Sequence, residues 1–442
     1  MKLLVKFAAF SALPLGWASA QSGAPPVATG QPQPVVQVQP APVFQPPAPV
    51  LQPPPPIVVP PPMWEPRDAL ALLGFIEQVG SEGLDPADYD PAGLIVALRS
   101  GNPHVLTQAA TDRFNRISTD LALGHVRGDA RLDWHIPDKD LDADQQDLLL
   151  RSALAQHRVP DALRELLPSH PQYAALRHAL AVTPPAEADK INRIRLNMDR
   201  WRWLPRDLGD RYIIVNVPAY TAALVEGGVT KSRHDAVAGA IKTPTPQMQA
   251  TAMGVILNPW WEVPLSLSRE VAGKRGYIAV RGKDGKVQRW RQPPGPSNAL
   301  GKIKFVMPNP KAIFLHDTNA RGLFDRKMRA FSHGCIRTQN VLDLAAILLA
   351  EDGGEWDRAK VDEVVASGKT VQANFVKPLP VYIVYMSSAA LVDGRIKDYA
   401  DIYKRDGTVL AALLDKHKAA VRAAAAKPDA TQPTATKGVA SR

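Results

Sequence analysis

The chain has one cysteine in 442 residues, Cys335. A single thiol excludes an internal disulfide framework and the paired C-x2-C spacing of most structural zinc sites. Long apolar runs are equally scarce. Past the N-terminal leader no stretch approaches the roughly twenty apolar residues that a bilayer-spanning helix requires, so no membrane span is expected in the mature chain. Charge is plentiful but never clustered. Lys and Arg number 53 against 43 Asp and Glu, a net +10, yet no basic stripe with interleaved aromatics occurs, which argues against nucleic acid as a partner. The positive balance suits other anions, such as lipid headgroups or carboxylate-rich peptides.

The leader itself is informative. "MKLLVKFAAFSALPLGWASAQ" sets Lys2 and Lys6 ahead of a short apolar run and ends in Ala18-Ser19-Ala20, which predicts a signal peptide over residues 1–20 with cleavage after Ala20. No cysteine lies at the cleavage site, so a lipoprotein anchor is not expected. Export sharpens the question of Cys335, because an unpartnered thiol in an oxidising compartment is exposed to oxidation and mispairing. Its retention implies a use.

Residues 21–66 are dense in proline and nearly uncharged, which predicts an extended polyproline-like linker of about 3 Å per residue. From 67 to 190 the pattern turns helical. "DALALLGFIEQVGSEGLDP" sets Leu70, Leu72, Leu73, Ile76 and Val79 on roughly one face, and later segments repeat that style. The histidines of this part (His104, His125, His135, His157, His170, His178) lack ligand spacing and read as surface or satisfied core groups. "INRIRLNMDRWRWLPRDLGD" predicts one more amphipathic helix ending at Pro205. After Asp210 the period shifts to 2: "RYIIVNVPAYTAALVEGG", "ATAMGVILNPWWEVP", "KIKFVMPNP" and "KAIFLHDT" read as strands bounded by Pro, Asn and Gly. "NVLDLAAILLAED" reads as a helix and "LPVYIVYMSSAALVDG" as a return to strand. Residues 417–442 offer no core-forming face and are expected to be a disordered tail.

Three groups with nucleophilic or basic chemistry fall within twenty residues: His316, His333 and Cys335. A thiol acts as a nucleophile through its thiolate, so it needs a base or a positive field nearby. Spacing alone nominates His333, two residues from Cys335 on an extended chain. His316, on a separate strand, is the other candidate and can present a ring nitrogen directly to the sulfur. Gly334 permits close backbone approach, so the amides of Gly334 and Cys335 are candidate oxyanion donors. A metal site is disfavoured, since His-x16-His-x-Cys has irregular spacing; neither metal nor cofactor is expected.

"HDT" at 316–318 followed by "SHGCIRTQN" at 332–340 resembles the signature of the L,D-transpeptidases, the family with a YkuD-type catalytic domain. "RWRWLPRDLGDRYIIVNVPAY", "NPWWEVP", "RQPPGPSNALGKIKF" and "PLPVYIVY" extend the resemblance to the long Gram-negative branch, and "GLDPADY" with "HPQYAALRHAL" resembles its scaffold domain. The implied fold class is multidomain α+β: an all-helical scaffold domain (67–190) plus a mostly-β, YkuD-like catalytic domain (191–416) with a short lid segment at about 265–295. The resemblance implies attack by Cys335 on a peptidoglycan donor tetrapeptide at the third-residue carbonyl, usually of meso-diaminopimelate. D-alanine leaves, and a diaminopimelate amine takes the acyl group to give a 3→3 crosslink. His316 would then be the base, oriented by the backbone carbonyl of Asp317, with His333 and Gly334 shaping the site. Arg337, Ser332, Trp260, Trp261 and Asn298 are the implied substrate-binding residues. Arg337 reads equally well as a packing or ion-pair residue. At least one of the two tryptophans reads as core. Implied partners are peptidoglycan stem peptides, with cell-wall synthesis proteins beside them, in the periplasm. A hydrolase of the same fold and a non-catalytic wall-binding scaffold are the alternatives. Two features depart from the branch: no wall-binding module separates the two domains, and the lid segment is short.

Overall fold

The computed structural model describes residues 62–350, 355–391 and 393–415. The expected signal peptide, nearly all of the linker and the expected tail lie outside the described residues. The end of the linker needs correction. Trp64 is 3% exposed, meets Phe114 edge-on at 6.1 Å and donates its indole N–H to Thr111. Such a large apolar ring is held by the helical core whatever its proline-rich neighbours suggest.

Seven helices follow: α1 (Pro66–Gln78), α2 (Pro91–Arg99), α3 (Pro103–Leu123), α4 (Ala143–Ala155), α5 (Val159–Arg164), α6 (Pro171–Val182) and α7 (Ala188–Arg202). Proline occupies the first turn of five of them, α1, α2, α3, α5 and α6, where its missing N–H has no helical partner to lose. The buried stripe of α1 is Ala69, Leu72 and Ile76, while Leu70 is 56% exposed. Leu70 therefore faces away from the stripe its sequence suggested, and Asp68 takes a buried position instead. Nor is this part wholly helical. A two-residue strand, β1 (Trp134–His135), extends the sheet of the second domain.

That sheet uses β2 (Arg211–Asn216), β3 (Thr221–Glu226), β4 (Val229–Gly239) and β5 (Gln247–Leu257), with Gly227 and Gly228 turning β3 into β4. An inserted subdomain follows: β6 (Trp261–Val263), the short α8 (Ser268–Val271), β7 (Ile278–Arg281) and β8 (Val287–Gln292). The main sheet resumes with β9 (Ile303–Val306), β10 (Leu315–His316), β11 (Ala330–Ser332) and β12 (Ile336–Thr338). Helices α9 (Val341–Ala350) and α10 (Arg358–Ser367) lead to the long β13 (Val371–Val384). A hairpin of β14 (Ser388–Ala390) and β15 (Ile396–Asp398) and a last helix, α11 (Asp406–Leu413), complete the described chain.

Eight strands run in the order β5-β13-β2-β3-β4-β12-β10-β9, and β9 returns to β5 through pairs from Gly254↔Val306 to Leu257↔Ile303. The ring is thus a closed barrel, and closure removes the exposed edges that an open sheet would present. Its core packs Ile213, Val215, Leu224, Val255 and Phe305 against Leu344 and Leu348 of α9. The segment expected as a short lid has its own three-stranded antiparallel sheet and a small core of Val263, Leu267 and Val271 beside Trp261, Tyr277 and Trp290.

Helix α7 joins the helical part to the barrel. It reads as amphipathic, yet Asn197, Asp199, Arg200 and Arg202 are all buried with Leu196, Met198 and Trp201. The Asp199 carboxylate, 0% exposed, accepts from the His125 and Val126 amides at 2.6 and 3.1 Å and from the Trp203 indole at 2.9 Å. Arg200 pairs with Asp406 of α11 at 2.8 Å, and Asn197 donates to Ser387 after β13 at 3.1 Å. The partners come from the loop after α3, the segment after β13 and helix α11, so α7 is tied to both parts of the fold, although Asn197 Oδ1 and the Nε atoms of Arg200 and Arg202 are buried without a partner among the described residues.

Candidate functional site

Strands β9, β10 and β12 are neighbours in the barrel, and their register sets three side chains in a row. Lys304 lies opposite His316 in the antiparallel pair, and His316 lies beside Arg337 in the parallel one. Directly paired residues share a face of the sheet, and the two-residue repeat adds Phe314 and Cys335 to it. All five line one cleft of about 440 Å³, together with Trp261, Glu262 and Tyr277 of the inserted subdomain.

His316 is 5% exposed. Its Nδ1 lies 2.5 Å from the Asp317 carbonyl oxygen, so Nδ1–H donates there and the Nε2 lone pair is left for the cleft. Burial is the main force keeping this ring neutral. The Arg337 charge reinforces it, the Asp317 carbonyl pulls the other way, and Lys304 adds to the downward push, leaving the pKa at about 3. Cys335 is half-buried, and its thiol donates to the Ala312 carbonyl at 3.6 Å. Burial pushes the thiol pKa up, opposed by a backbone hydrogen bond from Phe314 and by the charges of Lys304 and Arg337. At rest the site therefore holds a neutral thiol and a neutral imidazole.

The Ala312 carbonyl is set by a turn that sequence reasoning passed over. Ala312 has φ +52°, and the Asn309 side chain holds the turn by donating to Met307 and Ile313 carbonyls at 2.6 and 2.7 Å and accepting from the Ile313 amide at 3.1 Å. An asparagine between prolines in "MPNPKAIF" was the available signal.

The loop carrying Cys335 is fastened from inside. Gly334 has φ +114°, and a Cβ there would lie 3.0 Å from Ile313 Cδ1, so glycine is required. Its N–H donates to Ser332 Oγ at 3.1 Å, and the Ser332 hydroxyl donates to the Cys335 carbonyl at 2.5 Å. Ser332, which lines the cleft, thus also fastens the loop, and the Gly334 amide is already engaged, which leaves the Cys335 amide as the backbone donor beside the thiol. His333 is exposed on the cleft rim, with Nε2 at 3.5 Å from Glu270 of α8.

The other expected binding residues separate. Trp261 faces the cleft and meets Tyr277 edge-on at 6.0 Å. Trp260 does not line it and is covered by the Arg291 guanidinium at 3.6 Å from the ring centre. Asn298 is fully buried, donating to the Pro259 and Pro293 carbonyls at 3.0 and 2.9 Å and accepting from the Leu300 amide at 2.8 Å, so it clamps a loop and cannot reach a ligand. Beyond its carbonyl, Asp317 accepts from the Lys302 amide at 2.9 Å and from Arg321 at 3.0 Å. Arg337 lines the cleft with a buried Nε that has no partner among the described residues. Lys304 was missed because it matches no motif; only the strand alternation of "KIKFV" hinted at its face. Among the described residues one group of metal-capable side chains occurs, Glu65, Asp68 and His157 in the helical part. Arg67 lies among them, 3.0 Å from Glu65 and in contact with His157, so a protein cation already fills the position.

Residues 210–372 match the family profile of the L,D-transpeptidase catalytic domain, YkuD, and residues 61–180 match that of the scaffold domain. The chain carries an L,D-transpeptidase catalytic domain. A Haemophilus influenzae protein named provisionally as an L,D-transpeptidase is 31% identical over 283 residues, covering 58% of this chain and 57% of that protein. The match thus spans a little over half of the relative's length. Among solved structures, an L,D-transpeptidase from Mycobacterium smegmatis is similar at 13% identity, covering 40% of this chain and 58% of that one with a TM-score of 0.22. L,D-transpeptidase 3 from Mycobacterium tuberculosis is similar at 13% identity over 40% of this chain and 61% of that one, with a TM-score of 0.23. The matched catalytic segment, 210–372, includes every residue of the row on β9, β10 and β12.

Proposed function

We propose that the protein is a periplasmic peptidoglycan L,D-transpeptidase that works through a covalent thioester on Cys335. The observation that carries this reading is the juxtaposition of the Cys335 thiol and the His316 imidazole on one face of a closed barrel, with Nδ1 of the imidazole held on the Asp317 carbonyl. A base held in one tautomer keeps its other nitrogen aimed at the cleft, as general-base catalysis requires.

In the acylation step His316 Nε2 takes the thiol proton as Sγ bonds to the carbonyl carbon of the third stem residue. The carbonyl oxygen gains negative charge, which the Cys335 amide receives. Collapse breaks the bond to D-alanine, whose amine leaves with the proton from His316. In the second half a diaminopimelate side-chain amine of another stem attacks the thioester, His316 accepts its proton, and Sγ departs to be protonated again. The product is a 3→3 crosslink. Trp261 and Tyr277 form one wall of the peptide cleft, and the rim pair of His333 and Glu270 ties the nucleophile loop to the inserted subdomain. No helix among the described residues is long and apolar enough to cross a membrane. The leader is therefore the segment that this reading assigns to export.

Mass spectrometry of residues 21–442 incubated with a disaccharide-tetrapeptide containing meso-diaminopimelate tests the proposal. A crosslinked dimer lacking one D-alanine, absent with Cys335→Ala, is the expected product. Tripeptide alone would replace the transpeptidase with a hydrolase of the same fold, and no consumption with an unreactive Cys335 would leave a binding scaffold.

A further inference from the structure

Lys304 belongs to no motif of the sequence, yet the barrel places it directly across from His316, with Arg337 on the opposite flank. Its ammonium lies 4.7 Å from the centre of the Phe314 ring on the cleft floor, half-buried beside the thiol. Among the described residues no carboxylate lies within ion-pair distance of Lys304 or Arg337, the nearest influence on Lys304 being Glu262 on the cleft wall, and the buried Nε of Arg337 has no acceptor. Two partly desolvated cations on either side of a buried neutral imidazole repel each other and are costly to hold unpaired. Such an arrangement gains most from an anion that arrives with the ligand. Neighbouring strands stand about 4.8 Å apart, so an anion above the middle strand is within reach of long side chains on both flanks. A flat carboxylate suits a guanidinium through paired hydrogen bonds and an ammonium as a point charge.

We propose that Lys304 is a specificity residue that, with Arg337, receives a free carboxylate of the donor stem and thereby sets the scissile carbonyl over Cys335. This assignment rests on the stem-peptide reading of the function. It also links binding to chemistry. Burial is the largest cause of the low basicity of His316, and the Arg337 and Lys304 charges add to it in the empty cleft; a bound carboxylate neutralises the two charges and so raises the basicity of His316 once the donor is seated.

Two measurements on the full mature chain test the assignment. The first needs no turnover: the rate of Cys335 alkylation at neutral pH by iodoacetate, an anion, divided by the rate with iodoacetamide, which is neutral. Lys304→Met should lower this ratio by about tenfold, the scale of one nearby charge in partly hydrated surroundings, while Lys304→Arg should restore most of it. The second compares three donor tetrapeptides: the free acid, the carboxamide at the third-residue side chain, and the carboxamide at the terminal D-alanine. Wild type should favour the free acid over one of the two amides, which identifies the carboxylate concerned. Lys304→Met should lose that preference through a KM raised about tenfold, with kcat changed by only a few-fold.

An unchanged alkylation ratio in a folded Lys304→Met variant would overturn the carboxylate site. Equal losses on all three donors, or a fall confined to kcat, would overturn the specificity role and leave Lys304 as a support for the fold. If wild type consumes no donor while the ratio behaves as expected, the transpeptidase reading fails. The donor stem is then lost as the ligand, while the anion-attracting row stands.

Discussion

The buried neutral imidazole of His316 makes a quantitative demand on stability as well as on catalysis. In the unfolded chain its pKa returns to the ordinary 6.5, against about 3 in the folded protein. Between those values the unfolded chain binds a proton that the folded chain refuses, so stability is fully present above pH 6.5 and is lost as pH falls toward 3. Each pH unit in that window costs about 1.4 kcal/mol, so this one side chain removes about 3 kcal/mol between pH 7.5 and 4.5, and about 4 kcal/mol by pH 3. Urea unfolding of wild type and His316→Gln at pH 7.5 and 4.5 isolates the contribution. His170, whose pKa burial lowers to about 4, and His234, also lowered by burial, titrate in both proteins and cancel in the difference. His316→Gln should therefore lose about 3 kcal/mol less than wild type on acidification. Equal losses in the two proteins would refute the claim that His316 is held neutral. The same reasoning shapes reactivity: alkylation of wild-type Cys335 by iodoacetamide should show no step near pH 6.5 and should climb on the alkaline side, as expected of a thiol whose pKa burial has raised.

Other outcomes follow from single contacts. Ser332→Ala removes the hydroxyl that joins the Gly334 amide to the Cys335 carbonyl, leaving a buried donor unpaired. It should cost about 1–3 kcal/mol in unfolding experiments and lower kcat more than it raises KM, because the loop holding Sγ loosens. Asp199→Ala strips the partner from two backbone amides and the Trp203 indole inside a fully buried cluster, so a loss of at least about 3 kcal/mol is expected by denaturant titration. Gly301→Ala would place a Cβ 2.4 Å from the Asp317 carboxylate at a φ of +62°. Displacement of Asp317 should disturb the carbonyl that holds His316 Nδ1, seen as a fall in kcat and in iodoacetamide reactivity together.

Several features could be read before any fold was known, because each is local. A lone cysteine, the flanking histidine and glycine, and a second histidine at a strand end lie within twenty residues, so their joint chemistry is visible in the order of residues. The change of period near Asp210, the Gly227-Gly228 turn and the helix over 341–350 are equally local, since backbone geometry and side-chain alternation act over a few positions. Other features depend on partners distant in sequence. The row of Lys304, His316 and Arg337 exists only because β9, β10 and β12 pair in one register, and that register follows from the closure of β9 onto β5. The resemblance implies substrate binding for Asn298 and Ser332; their bonds turn inward because the loops around them leave backbone groups that need partners. The burial of Trp64, at the end of the proline-rich segment, and of Asp199, on a helix whose sequence reads as amphipathic, is likewise set by helices folding back across dozens of residues. Sequence alone thus determined which atoms are candidates for the chemistry and where the chain changes from helix to strand. The tertiary structure decided which charges surround those atoms, because electrostatic fields and burial depend on distance in space rather than along the chain.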